Sequence, residues 1–451
     1  MTAAAAPDRA APPPDTLRRG LLLALLRSSQ YLFLFVAGVV VARALGPALR
    51  AQYALSLALG SGVWILINLS LPEAAGRLLA RRDASLAEVS RLLYATTLVL
   101  GVLGAALVFA IGFAARGSVL QHASANAIVL AALIVPLTLV QQVSVGLLTR
   151  VGAFSAYGWS CAVTGALHLA VVVLLTAMLA LTPEYALAAG VLALAVRAIV
   201  LAAAVGRYAG AGALKPGGSR RLAWTMLKIG LTLHPAYVAL ALSLRLDLFL
   251  VSALTDSRSV GLYSLAIALA EILFLVSWTM TESALRTQTQ ADEATAARFT
   301  IWVSRQILTV TVLGAVVISL LAHPLIVVFY GRAWAGSVLP LVILTCAAVA
   351  FAVEGPIRVM MIRVAPPSTI AFAAVPSTVV NVALNLVLIP RLGISGAALA
   401  SVASYWLYLW LLLRAFRDVT GLAVGTIFRL PREGDVVVDI LRRMLPTLRA
   451  R

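Results

Sequence analysis

The stretch ALSLRLDLFLVSAL, Ala241 to Leu254, places Arg245 and Asp247 in an otherwise almost wholly apolar run. A guanidinium offers a planar fork of donors that matches phosphate or carboxylate oxygens two at a time. A carboxylate holds a proton, a cation or an opposing guanidinium. Two residues apart, the pair lies about 200° around a helix, so neither is the other's natural partner. Arg197, in LALAVRAIVLAA, is equally deep and has no acid within four residues. Arg27 lies two turns into the first apolar run. An arginine at the centre of a bilayer costs about 2.5–3.5 kcal/mol on insertion scales. Arg27, Arg197 and Arg245 therefore suit the lining of a cavity that attracts an anion such as a phosphate or pyrophosphate. The competing reading is structural: a carboxylate on another helix, or, for Arg27, snorkelling to the headgroups.

The acids divide differently. Glu354 and Arg358, in VEGPIRVMM, are one helical turn apart and suit an ion pair on one face. Gly355 and Pro356 between them favour a bend. Glu271 is a candidate partner for an arginine, and Asp247 is a candidate for ion coupling or a helix contact. Ser377, Asn381 and Asn385 recur every four residues in PSTVVNVALN. Such a stripe serves interhelical hydrogen bonding or, alternatively, contact with sugar hydroxyls. Cys161 and Cys346 lie in apolar runs, and His122, His168, His234 and His323 have no ligand spacing. No metal site, cofactor or nucleophile motif is implied.

These residues sit in a chain that is 62% hydrophobic and 12% charged, with mean hydropathy +1.01. Soluble domains average about 25% charged. Runs of about 20 apolar residues match the thickness of a bilayer core, and lipid forces such runs into helices. Twelve spans are expected, near 20–42, 51–71, 92–115, 126–148, 157–181, 185–206, 224–254, 260–282, 300–322, 336–362, 368–389 and 394–416. The net charge of +18 is read as topology and not as nucleic-acid binding. Of the 35 Lys and Arg, about 26 then fall on the cytoplasmic side and about 6 outside, namely Arg43, Arg50, Arg116, Arg258, Arg332 and Arg391. This expectation gives a multi-pass protein of the cytoplasmic membrane with both termini inside.

The longest internal break, RYAGAGALKPGGSRR, is near the middle. YALSLAL from Tyr53 matches YSLAIAL from Tyr263 at an offset of 210 residues, which suggests a 6+6 duplication. Under that offset Arg245 and Asp247 align with Phe35 and Ala37, so these charges belong to the second half alone. The expected organisation is a disordered tail over 1–17, six helices over 18–206, a linker over 207–223, six helices over 224–416, and a tail over 417–451 with an amphipathic helix on the inner leaflet. Two such bundles facing each other are a common transporter plan, with the site between them. Connections between spans are too short for a soluble catalytic domain, so the chain is not expected to be an enzyme.

Four stretches resemble signatures of the Wzx-like polysaccharide-transport flippases of the multidrug/oligosaccharidyl-lipid/polysaccharide (MOP) superfamily. They are VVVARALGPALRAQYALSLALG, LRLDLFLVSALTDSRSVGLYSLAIALAE, NVALNLVLIPRLGISGAALASVASY and the basic segment AAGRLLARRDASLAEVSRL. The likeness covers about 20–416. It implies an all-α fold of two pseudo-symmetric six-helix bundles working by alternating access. It implies a polyprenyl-diphosphate-linked oligosaccharide as substrate, with the arginines toward the diphosphate or acidic sugars. Membrane lipids and polysaccharide assembly proteins are the implied partners. The related drug exporters often carry a coupling acid in the first helix, where this chain has Arg27 instead. The competing readings are a small-molecule exporter of the same fold and a membrane glycan polymerase or ligase.

Overall fold

The computed structural model describes residues 14–81, 84–120, 123–151, 153–215 and 217–429. Among these residues the chain is helical throughout, with no strand. The helices are α1 (Pro14–Ile67), α2 (Leu71–Arg81), α3 (Leu86–Ala114), α4 (Ala125–Arg150), α5 (Phe154–Met178) and α6 (Pro183–Ala209). There follow α7 (Arg220–Leu254), α8 (Ser257–Ala270), α9 (Ile272–Gln290), α10 (Glu293–Phe329), α11 (Val338–Val364) and α12 (Pro367–Thr420). Among the described residues, ten segments are long and apolar enough to cross a membrane, α8 and α9 contributing one of them.

Two of the ten are too long for one crossing. At 1.5 Å per residue a 54-residue helix would run about 80 Å, against a hydrocarbon core of about 30 Å. Both are broken at a glycine, Gly46 (φ 68°, ψ 174°) in α1 and Gly393 (φ 58°, ψ −140°) in α12. Only glycine takes such angles readily. Beyond Gly393 the chain folds back on itself: Asn381 Nδ2 donates to Ser404 Oγ at 2.9 Å across the break. With α1 and α12 each broken into two segments, the described helices are roughly consistent with the expected twelve spans. The loops expected at 43–50 and 390–393 are therefore sharp breaks inside otherwise helical chain.

The ends depart from expectation in detail. Helix α1 begins at Pro14, inside the segment expected to be a disordered tail. The basic segment between the second and third spans forms α2, with Glu73 in its first turn, and α2 packs on α7. The linker is shorter than expected, and Gly217 N–H donates to the Arg91 carbonyl of α3 at 3.3 Å. The amphipathic helix expected around Arg442 and Arg443 lies outside the described residues.

The two halves repeat their packing. Helix α1 packs on α5, as α7 packs on α12; α3 packs on α4 as α10 packs on α11; and α4 packs on α6 as α11 packs on α12. At one end the halves are clamped. Arg43 donates from Nε and Nη2 to the Phe329 and Val328 carbonyls, both at 2.6 Å. Ser252 Oγ donates to the Val119 carbonyl at 2.7 Å. The Pro47 carbonyl lies so close to Gly261 that there is no room for a Cβ. At the opposite end His234 Nε2 donates to the Leu66 carbonyl at 2.8 Å.

The Gly261 contact is backbone against backbone, and neither side can swing away. Gly261→Ala is expected to force the halves apart and destabilise the protein by about 1–3 kcal/mol, the usual penalty for overpacking. Thermal denaturation of the purified variant in detergent checks this; a melting temperature equal to the parent's would contradict the close approach.

Candidate functional site

A cleft of about 370 Å³ lies between the halves. From the first half come Trp64, Asn68, Ser70, Glu73, Thr97 and Gln142; from the second come Tyr237, Leu244, Trp278, Phe351, Glu354 and Arg358. The wall thus combines aromatic faces, amide and hydroxyl groups, two carboxylates and one cation, which is how small-molecule sites fix orientation inside an apolar cavity. Glu354 is 3% exposed and accepts from Arg358 Nε at 2.9 Å and from Tyr408 Oη at 3.3 Å. Arg358 also donates to Tyr237 Oη at 3.4 Å and stands 5.5 Å from that ring's centre. The i,i+4 pair expected from VEGPIRVMM is therefore formed, and it faces the cleft.

Leu244 also lines a second chamber of about 140 Å³, bounded by the second segment of α1 and by α7 and α8. Its polar groups are Arg50, Tyr53, Ser61, Arg245, Ser264 and Glu271. Arg245 Nη1 donates to Glu271 Oε1 at 2.8 Å, with both side chains about one-third exposed. Glu271 occupies the junction between α8 and α9, the one residue of that span outside both helices. Arg245 thus finds its partner at the α8–α9 junction, while Asp247 points elsewhere. Asp247 is 2% exposed and accepts from Tyr263 Oη (2.7 Å), Ser401 Oγ (3.3 Å) and the Leu248 N–H (2.7 Å). Those bonds tie α7 to α8 and to the last segment of α12.

Arg50, expected in a loop on the outer side, lies instead in the second segment of α1 and is only 7% exposed. Because the break falls at Gly46, the helix resumes at once and carries Arg50 inward in its first turn. There Arg50 Nε donates to Ser264 Oγ at 3.2 Å, and the guanidinium stands 5.7 Å from the Trp334 ring centre. Trp64, Tyr237 and Trp278 were also missed, since a lone aromatic in an apolar helix carries no mark of facing a cavity.

Other expected site residues are placed away from the cleft. Arg197 lies on α6 against α5, its Nη2 donating to Cys161 Sγ at 3.2 Å and its guanidinium 5.9 Å from the Tyr157 ring centre. It lines neither chamber. The reason is the face of α6 on which it falls, which packs inside the first half. Ser377, Asn381 and Asn385 are buried and bonded within α12: Ser377 Oγ to the Ala373 carbonyl, Asn381 to Ser404, and Asn385 Nδ2 to the Asn381 carbonyl and side chain. Asn381 bonds across the break to the last segment of α12, while Ser377 and Asn385 bond to residues of their own segment, and none of the three lines the cleft. The side chain of Arg27 lies outside the described residues.

Arg197→Ala is expected to lower the amount of protein in the membrane while leaving transport per molecule unchanged. Export normalised to membrane abundance checks this. A normalised rate reduced tenfold would put Arg197 back in the transport path.

Several solved structures share this fold at low sequence identity. The lipid II flippase MurJ, in an inward closed conformation, is 14% identical with a TM-score of 0.69, covering 95% of this chain and 97% of that one. An inward-facing multidrug resistance MATE family transporter of the MOP superfamily is 15% identical with a TM-score of 0.65, covering 88% and 98%. A MOP superfamily transporter from Pyrococcus furiosus is 13% identical with a TM-score of 0.62, covering 92% and 96%. No curated protein sequence matches the chain. The family described as polysaccharide biosynthesis protein matches residues 16–286, more than half the chain and every residue of the Arg50, Arg245 and Glu271 chamber. The chain therefore belongs to the polysaccharide biosynthesis protein family, the Wzx-like flippases, and has the two-bundle fold of the MOP superfamily.

Proposed function

We propose that this flippase carries a polyprenyl-diphosphate-linked oligosaccharide across the cytoplasmic membrane, its headgroup passing through the cleft between the halves. The observation that carries the reading is the succession of cations along that interface: Arg358 in the cleft, then Arg245 and Arg50 beyond Leu244. A diphosphate is a bidentate acceptor, and guanidinium is the side chain best matched to it. Arg358 and Arg245 are already paired with Glu354 and Glu271. An entering anion must compete with those carboxylates, so each site binds firmly enough to admit the headgroup and weakly enough to release it, the requirement for conduction through successive sites. The aromatic and amide wall of Trp64, Trp278, Asn68 and Gln142 suits the apolar faces and hydroxyls of sugars. The clamp of Arg43, Pro47 and Gly261 then closes the outer end, and the cleft belongs to the cytoplasmic half.

The same reading puts both termini in the cytoplasm. Reporter fusions after Thr420 and within the 116–118 turn are expected to report opposite sides; matching sides would break the orientation. A small-molecule exporter is the alternative, and it predicts that organic cations, not lipid diphosphates, compete at the cleft. Export of lipid-linked glycan by cells producing the protein, compared with cells lacking it, tests the substrate: glycan accumulating inside in its absence is the expected result.

A further inference from the structure

A groove of about 840 Å³, larger than the cleft, lies between α3 and α7. Leu92, Val99 and Leu227 line an almost wholly apolar wall, and Arg220 and Arg221 stand at one end. Those two residues open α7, and the linker sets them beside α3: Gly217 bonds Arg91, and Gly218 (φ +147°) lies against Leu92, where an added Cβ would stand 3.1 Å from its Cβ. Among the described residues neither guanidinium has an ion-pair partner. Leu71, Thr96 and Leu100 line both the groove and the cleft, so the two adjoin across these side chains. Helix α3 belongs to the first half and α7 to the second, so the groove is a side opening of the interface itself.

We propose that this groove is a lateral entrance for a long-chain lipid diphosphate, with the chain against Val99 and Leu227 and the diphosphate held by Arg220 and Arg221. The charge pattern selects the occupant. A chain with no phosphate leaves the arginines unmatched, and a free diphosphate leaves the apolar wall uncovered. The chain stays in the bilayer while the headgroup passes by Thr96 into the cleft. This site rests on the reading of the protein as a carrier of lipid-linked glycan, and names where that lipid enters.

The test uses the full-length protein in phosphatidylglycerol-containing proteoliposomes and a photoactivatable polyprenyl diphosphate that bears no sugar. Labelled residues are mapped by mass spectrometry. Labelling on α3 and α7 near Val99 and Leu227 is expected, with competition by unlabelled polyprenyl diphosphate but not by inorganic diphosphate or polyprenyl alcohol. Arg220→Ala with Arg221→Ala is expected to weaken this labelling at least about tenfold, the loss of charge-assisted bonds. Ala95→Trp, which narrows the groove and leaves both arginines, is expected to weaken it with abundance and melting temperature unchanged. Labelling elsewhere, labelling indifferent to the arginines, or equal competition by added phosphatidylglycerol would overturn the proposal. Because the probe carries no sugar, groove labelling without glycan translocation would count against the substrate reading alone. Glycan translocation without groove labelling would count against the entrance alone.

Discussion

Arg358→Ala is expected to lower glycan export about tenfold to a hundredfold per molecule of protein in the membrane. The range follows from losing a charge-assisted hydrogen bond to the diphosphate, worth about 1.5–3 kcal/mol. The substitution also strips Glu354 of its ion-pair partner in a nearly fully buried position. Removing one member of a buried pair costs about 3–5 kcal/mol, so abundance is expected to fall as well. The double variant Glu354→Gln, Arg358→Ala separates the two effects. A neutral amide needs no cation, and Tyr408 remains to bond it, so abundance is expected to recover while export stays low. Arg358→Lys keeps the charge but not the fork, and intermediate export is expected. If the double variant exports at the parental rate, the pair is a brace for α11 and carries no headgroup.

Arg245 and Glu271 give the second large effect, with opposite signs for binding at the two positions. Arg245→Ala removes a chamber cation and is expected to lower both binding of a lipid diphosphate and export, each about tenfold or more. Glu271→Gln removes the competing carboxylate and frees Arg245. Binding is expected to tighten while export still falls, because release becomes the slow step. Binding to purified protein in detergent, measured beside export in cells, checks both. Since each side chain is about one-third exposed, little of either effect should come from lost stability. Parallel loss of binding in both variants would show the pair to be purely structural.

Much of this arrangement was legible in the sequence because lipid removes alternatives. Apolar runs had to be helices, and charges stranded in those runs had to find partners. Glu354 with Arg358 followed from helical spacing, and Glu271 was already a candidate for an arginine. The misses have physical causes. Gly46 and Gly393 read as parts of loops because a single glycine at positive φ is enough to turn a helix, and nothing in hydropathy separates that from a longer connection. This error moved Arg50 from the chamber to the outer surface. Arg197 carried the same signal as Arg245, since burial in an apolar run does not say which neighbour a helix face meets. Cys161 and Tyr157 on α5 take that face. The polar stripe on α12 was consumed by its own hairpin, a contact visible only once the chain turns at Gly393. Trp64 and Trp278 had no sequence signal, because an aromatic residue is as ordinary facing lipid as facing a cleft.

The most direct test of the cationic path is translocation by the purified protein in proteoliposomes loaded with a fluorescent polyprenyl-diphosphate oligosaccharide. Transbilayer movement is read by the access of a membrane-impermeant quencher to the labelled glycan. The account predicts movement well above that of protein-free vesicles, little movement of the same glycan on an uncharged polyprenyl ether, and loss of the protein-dependent rate when Arg245 and Arg358 are both alanine. Equal rates for the diphosphate and the ether, or an unchanged rate in the double variant with normal reconstitution, would contradict it.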